Sequence, residues 1–185
     1  MSTLKVGTIQ DHANSNTAIS IDSSGRPTFP ATPAWRVHNV GAQARTDWNI
    51  GSPYEPIVYS AVTLDNASGW TSGASNYYTI PVAGNYMFFI NQRCDGPAAG
   101  SWFQLYLMVD SGSGYTFRHR WIHDLESGDA YFTFSVSDMG IFAAGDKLQV
   151  RFATNGDSST TLQGASNANA TSQNQYSSFA GYRVG

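Results

Sequence analysis

Tyr77-Tyr78-Thr79-Ile80-Pro81-Val82-Ala83-Gly84-Asn85-Tyr86-Met87-Phe88-Phe89-Ile90 reads as a short β-strand, a tight corner built on Pro81 and Gly84, and a second strand. In the second strand Tyr86, Phe88 and Ile90 fall on one face, and Asn85, Met87 and Phe89 on the other. A strand with bulk on both faces does not lie open to water. It is central in a sandwich or part of a subunit interface. Nothing in the stretch is catalytic.

The composition around it points the same way. Charged residues are 12% of the 185, about half the usual share, so hydroxyl and amide groups must supply most of the polar surface. Such side chains favour strands and turns over helices, as do the 18 Gly and the 14% of aromatic residues. The length suits one domain with a small appendage. A net charge of −3 and the lack of any Lys/Arg block argue against nucleic-acid binding, and Arg118-His119-Arg120 reads as a solvated strand face. The single cysteine, Cys94, rules out an intrachain disulfide and a paired-cysteine zinc site, and the adjacent Arg93 is weak grounds for a reactive thiol. The N-terminus carries no basic segment followed by an apolar run, so no secretory signal is expected, and no membrane-spanning stretch is present.

Working outward, Trp35–Val40, Glu55–Leu64, Trp102–Val109, Tyr115–Ile122, Tyr131–Val136, Lys147–Ala153 and Tyr176–Val184 read as further strands. Between them lie turns such as Asp110-Ser111-Gly112-Ser113-Gly114 and Ala144-Gly145-Asp146. No helical stripe and no fixed-period repeat appears, so the expected class is all-β, a sandwich or jelly roll over residues 33–185. Residues 154–175 hold Leu162 as their one large apolar side chain and read as a long exposed loop or irregular strand pair.

Residues 1–32 differ from the rest. Leu4, Val6 and Ile9 suggest one short strand, Ile19 and Ile21 a second, and the two prolines around Phe29 an extended run. These six apolar residues cannot build a core of their own. The segment is expected to be a docking arm or stem that packs on another subunit, the main domain or a larger assembly, or is disordered when isolated.

Asp65-Asn66, Gly69-Trp70 and Tyr78-Thr79-Ile80-Pro81-Val82-Ala83-Gly84-Asn85-Tyr86-Met87-Phe88 together resemble the signature of the C1q/TNF-like jelly rolls. Weaker echoes are Ala144-Gly145-Asp146-Lys147-Leu148-Gln149-Val150 and Ser178-Phe179-Ala180-Gly181-Tyr182. The front segment, Leu4–Ile9 with Ile19–Pro30, resembles the leader of short C1q-like virion proteins of phages, particularly marine ones. The resemblance implies a bell-shaped homotrimer of two-sheet jelly rolls, located in the virion after assembly in the host cytoplasm and exposed by lysis. Tyr59, Tyr86, Phe88, Phe179 and Tyr182 are then candidates for the core or the threefold interface. No Gly-X-Y stalk precedes the domain, so complement or cytokine activity is not carried over.

Candidate chemistry is sparse. Most acidic residues sit in turns, where Asp is a turn former first. Glu126 and Asp129 could form a glycosidase dyad only if the fold brought them together. His119 and His123 share a strand face but lie roughly 13 Å apart, too far to hold one metal. The family resemblance raises calcium as the one ion to consider, with Asp110, Ser111 and Ser113 or Asn155 and Asp157 as oxygen donors. The sequons Asn66-Ala67-Ser68 and Asn169-Ala170-Thr171 carry little weight without a secretory route. Tyr115 and Trp121 are the candidate ligand contacts, beside the loops 110–114, 124–130 and 154–172 expected to face outward.

The expected function is therefore a non-enzymatic phage structural protein without cofactor: a trimeric tail-fibre-type attachment protein touching host glycan or protein. Residues 1–32 would dock it on other virion proteins. Alternatives are a capsid decoration protein or head fibre, and a carbohydrate-binding module.

Overall fold

The structure, a computed structural model, describes residues 6–10, 17–29, 32–44, 55–73, 75–96, 102–124, 130–154, 160–165 and 176–184. Strands β1 (Thr8–Gln10), β2 (Thr17–Ile21) and β3 (Pro27–Thr28) come first and form a separate small sheet. The main body follows with β4 (Ala34–His38), β5 (Gln43–Ala44), β6 (Glu55–Pro56), β7 (Ala61–Asp65), β8 (Trp70–Thr71), β9 (Tyr77–Thr79) and β10 (Gly84–Asp95). Then come β11 (Trp102–Asp110), β12 (Tyr115–Asp124), β13 (Tyr131–Phe142), β14 (Lys147–Thr154), β15 (Thr161–Leu162) and β16 (Ser177–Val184). No helix occurs among the described residues.

Two antiparallel sheets make the sandwich. In the front sheet β13, β10, β16, β4 and β7 lie side by side, with β15 and β5 continuing it beyond the end of β16. In the back sheet the order is β12, β11, β14, β9 and β8, with β6 beside β14. Long connections crossing between sheets leave the aromatic and β-branched residues of alternate positions facing one another, as a jelly roll requires.

The core is aromatic. Tyr86, Phe88, Ile90 and Cys94 of β10 point into it, with Trp35 and Val37 of β4, Phe179 of β16, and Leu105, Leu107, Leu148, Val150 and Phe152 from the back sheet. The indole of Trp35 stacks on Tyr78 with ring centroids 3.9 Å apart and lies edge-on to Phe179 at 5.4 Å. Trp35 reaches Tyr78 across Gly181. A Cβ at 181 would collide with the indole ring, so glycine is required by close approach. The corner of the decisive stretch is closed by Tyr86, whose hydroxyl donates to the Val82 carbonyl at 2.6 Å. Both carboxylate oxygens of Asp65 accept backbone N–H bonds, from Gly69 and Trp70, which shapes the turn before β8.

Three sequence expectations change. Glu55–Leu64 is two strands in opposite sheets, β6 and β7. Pro56 has no N–H for a continuous ladder, and the chain crosses the sandwich at 57–60, burying Ile57 and Tyr59. The Gln43 amide holds this crossing, donating to the Val58 carbonyl and accepting from its N–H. Within 154–175 the irregular-strand alternative fits β15, which pairs with Cys94 and Asp95, and Leu162 is fully buried there, so this part is core edge and the exposed-loop alternative falls for it. The strand expected over Tyr131–Val136 runs on to Phe142, because β10 offers it an unbroken partner from Asp95 back to Gly84.

Candidate functional site

The strands of the front sheet give the body two ends. At one lie Gly84, Phe142, Val184 and the Asp110–Tyr115 turn; at the other lie Asp95, Trp102, Asp124, Tyr131 and Ser177. The small N-terminal sheet enters at the first of these, since Ala34 pairs with Tyr182. We call it the arm end, and the other the far end.

Alternation on β10, β13 and β16 sets the outward face of the front sheet. Near the arm end it carries Met87 and Phe89, Met139 and Ile141, and Tyr182 and Val184. Ile141 is 74% exposed and Tyr182 45%, and the Phe89 and Tyr182 rings stack at 6.3 Å. Leu64 of β7 adds to this uncovered surface. Toward the far end the same face becomes polar, with Asn91, Ser135, Thr133, Arg93 and Asp95. A contiguous apolar patch rimmed by polar groups is the usual mark of a protein–protein contact.

Of the five residues expected in core or interface, Tyr59, Tyr86, Phe88 and Phe179 are buried inside the sandwich, and Tyr182 alone is on the outward face. Met87 and Phe89 belong to the second bulky face noted in the sequence, whereas Met139 and Ile141 lie on β13 beyond the strand expected over Tyr131–Val136. Which face of β10 is buried inside the same chain is a tertiary fact.

The far end carries a built arrangement. Arg93 donates from Nε and Nη2 to the two oxygens of Asp95, at 2.6 and 3.0 Å. Its guanidinium also lies 4.8 Å from the ring centres of both Tyr131 and Tyr176. The pairing with Asp95 raises the Arg93 pKa further above its already high value. Arg93 thus ties together the end of β10, the start of β13 and the residue before β16. Tyr131 and Tyr176 themselves remain exposed.

The candidate ligand contacts lie elsewhere. Tyr115 is half-buried on the back sheet near the arm end, with the Arg151 guanidinium 4.7 Å from its ring. Trp121 packs against the core and stacks on His119 at 5.6 Å, so its ring is used in closing the sandwich. His119 donates from Nε2 to Asp138 Oδ2 (2.6 Å) across the open edge between β12 and β13, and His123 stacks on Phe132 at 3.9 Å. The two imidazoles have separate partners. The loop 110–114 lies at the arm end, whereas Asp124 and Thr154 lie at the far end; 125–129, 155–159 and 166–172 are outside the described residues.

Most acidic side chains serve turns. Asp110 accepts the N–H groups of Gly112 and Gly114, which hold its carboxyl below the ordinary range. Asp146 accepts the Ser111 hydroxyl at 2.7 Å and the Ala143 N–H at 2.8 Å, beside a cleft of about 440 Å³. Among the described residues no group of three His, Cys, Asp or Glu side chains could hold a metal. Glu126, Asp129, Asn155, Asp157 and Asn169 lie outside the described residues, as does Leu4. Cys94 is buried, and desolvation pushes its thiol far above the usual range. Asn66 of the first sequon is engaged: its amide donates to the Thr32 carbonyl and accepts from the Ala34 N–H, both at 2.7 Å. It clamps the joint between arm and body.

No family model matches this chain, and no curated protein does. Among solved structures it is similar to the Eiger TNF of S. frugiperda, with a TM-score of 0.60 at 12% identity over 83% of this chain and 93% of that one. Murine APRIL, determined at pH 5.0, superposes with a TM-score of 0.56 at 10% identity, over 83% of this chain and 99% of that one. Likenesses at this identity carry the fold alone. The chain is an all-β protein with a C1q/TNF-like jelly-roll fold.

Proposed function

We propose that this protein is a non-enzymatic structural component of a phage particle, a homotrimeric fibre-type head that touches the host surface. The carrying observation is the uncovered apolar face of Met87, Phe89, Met139, Ile141 and Tyr182, on the sheet that also receives the arm. Closed rotational symmetry covers such a face in every copy without leaving a further open surface. The fold is compatible with this reading, and the virion assignment rests on the resemblance of residues 4–30 to phage leader segments. The arm at one end directs the far end outward, where Tyr131 and Tyr176 are presented by Arg93. Asp65, Asp110, Asp138 and Asp146 have structural partners in turns and across sheet edges, which favours recognition over turnover.

Sedimentation of the purified chain at micromolar concentration tests the assembly: a trimer is expected, and a monomer overturns it. Labelling this chain in imaged particles tests the location. Label at a tail tip or fibre fits attachment, label across the capsid shell replaces it with a decoration role, and no label on particles removes the virion reading.

A further inference from the structure

The small N-terminal sheet is two-faced. Its register places Thr8, Ser20 and Thr28 in one row across the three strands, and Ile9 opposite Ile19 and Ile21 opposite Pro27 on the other side. The alternation continues to Phe29. Among the described residues this second side lies open: Ile9 is 50% exposed, Ile21 41% and Phe29 57%, with Ile19 between them half-buried. Among the described residues no strand of the main body pairs with the sheet. The ion pair of Asp22 with Arg26, at 2.7 Å, is spent within the β2–β3 turn, where Asp22 also accepts the Ser24 and Arg26 N–H groups. A hairpin shaped this firmly by its turn, with one bare apolar side, is preformed for a contact.

We infer that the Ile9–Ile19–Ile21 face packs against the same face of two other copies, so that three arms make a stem. The inference rests on the trimer reading above and deepens it. Three observations favour a second copy over a foreign partner. The arm joins the body at Ala34, opposite Tyr182, which is the end where the uncovered apolar residues of the front sheet gather. Association of the heads through that patch brings the three arm roots together. Secondly, the bare side consists of a few side chains, Ile9, Ile19, Ile21 and Phe29, against about 20–30 residues per partner in a stable complex. So small a face is adequate only when its partner is already tethered nearby at high effective concentration. Thirdly, the described residues of this face, Ile9, Ile19, Ile21, Pro27 and Phe29, carry no charge that would select a foreign partner, whereas an apolar face is complementary to its own copies. The Thr8–Ser20–Thr28 side then faces outward from the stem and is the side available to the particle.

Cysteine crosslinking tests this in the full chain, since the native Cys94 is buried and does not compete. Ile19→Cys sits on the central strand of the bare side, and Ser20→Cys beside it on the hydroxyl side. Both proteins are sedimented first, then oxidised and run on non-reducing gels. A trimer in which Ile19→Cys forms covalent dimers at least fivefold more than Ser20→Cys supports the stem, and Ile9→Cys should behave like Ile19→Cys. A trimer in which both positions crosslink equally, or neither does, overturns the stem while leaving the head trimer intact. A monomer in the sedimentation step overturns the trimer reading itself, and the stem with it.

Discussion

The two faces of β10 carry similar bulk and meet different fates. Tyr86, Phe88 and Ile90 are enclosed by the back sheet, while Met87 and Phe89, one residue away on the same strand, are left at the surface with Tyr182, Met139 and Ile141. Alternation makes the two sets, but the cover that separates them comes from other strands, β11 directly after β10 and β14 more than fifty residues further on. Hydrophobic content alone therefore does not tell core from contact surface. Enclosure within one chain does.

The comparison breaks most visibly at Phe88. Phe88→Ala leaves a cavity among Tyr86, Phe179 and the back sheet and should cost about 3–5 kcal/mol in urea unfolding, whatever the state of assembly. At Phe89 the expected outcome is reversed. Phe89→Asp should change the unfolding free energy of the separate chain by less than about 1 kcal/mol, yet abolish the trimer in sedimentation. Equal losses of folding stability at the two positions would mean that the outward face is covered within the chain after all.

Smaller effects sharpen the same contrast. Asn66→Ala removes two bonds at the joint of arm and body, and should lower stability by about 1 kcal/mol while exposing residues 30–34 to protease. Tyr59→Phe should go the other way. The Tyr59 hydroxyl is buried without a hydrogen-bond partner, so its removal should raise stability by about 1 kcal/mol. Burial also pushes the Tyr59 hydroxyl far above its ordinary value. The neutral ring favours the folded state below about pH 10, and this contribution is lost as pH rises and the unfolded chain ionises first. Tyr59→Phe should accordingly lessen the alkaline fall in stability, seen as a flatter melting-temperature profile above pH 10.

Much of this was legible beforehand, and for physical reasons. The corner of Pro81 and Gly84, the period-two alternation and the glycine-rich turns are local properties, and they led to a jelly roll with a separate arm. What could not be read was placement. The burial of Leu162 depends on its pairing beside Cys94, the inward turn of Trp121 on the neighbouring His119, and the exposure of Tyr131 on the Arg93 side chain of another strand. Leu162 and Tyr131 depend on partners far away in sequence, and Trp121 on packing against a core that the rest of the chain assembles. The position of loop 110–114 at the arm end is likewise a matter of topology, since only the sheet order says which turns share an end.

That β4 leaves the arm at one end of the body, while β10, β13 and β16 run from that end to the other, has a mechanical consequence. β10 alone spans twelve residues, roughly 40 Å of extended chain. Tension between the arm and the far end acts along these strands. It loads the ladder bonds between β4 and β16, and between β16 and β10, in shear, all resisting together, instead of peeling them one at a time. A body of this build holds under a lengthwise pull far better than under one applied across its strands.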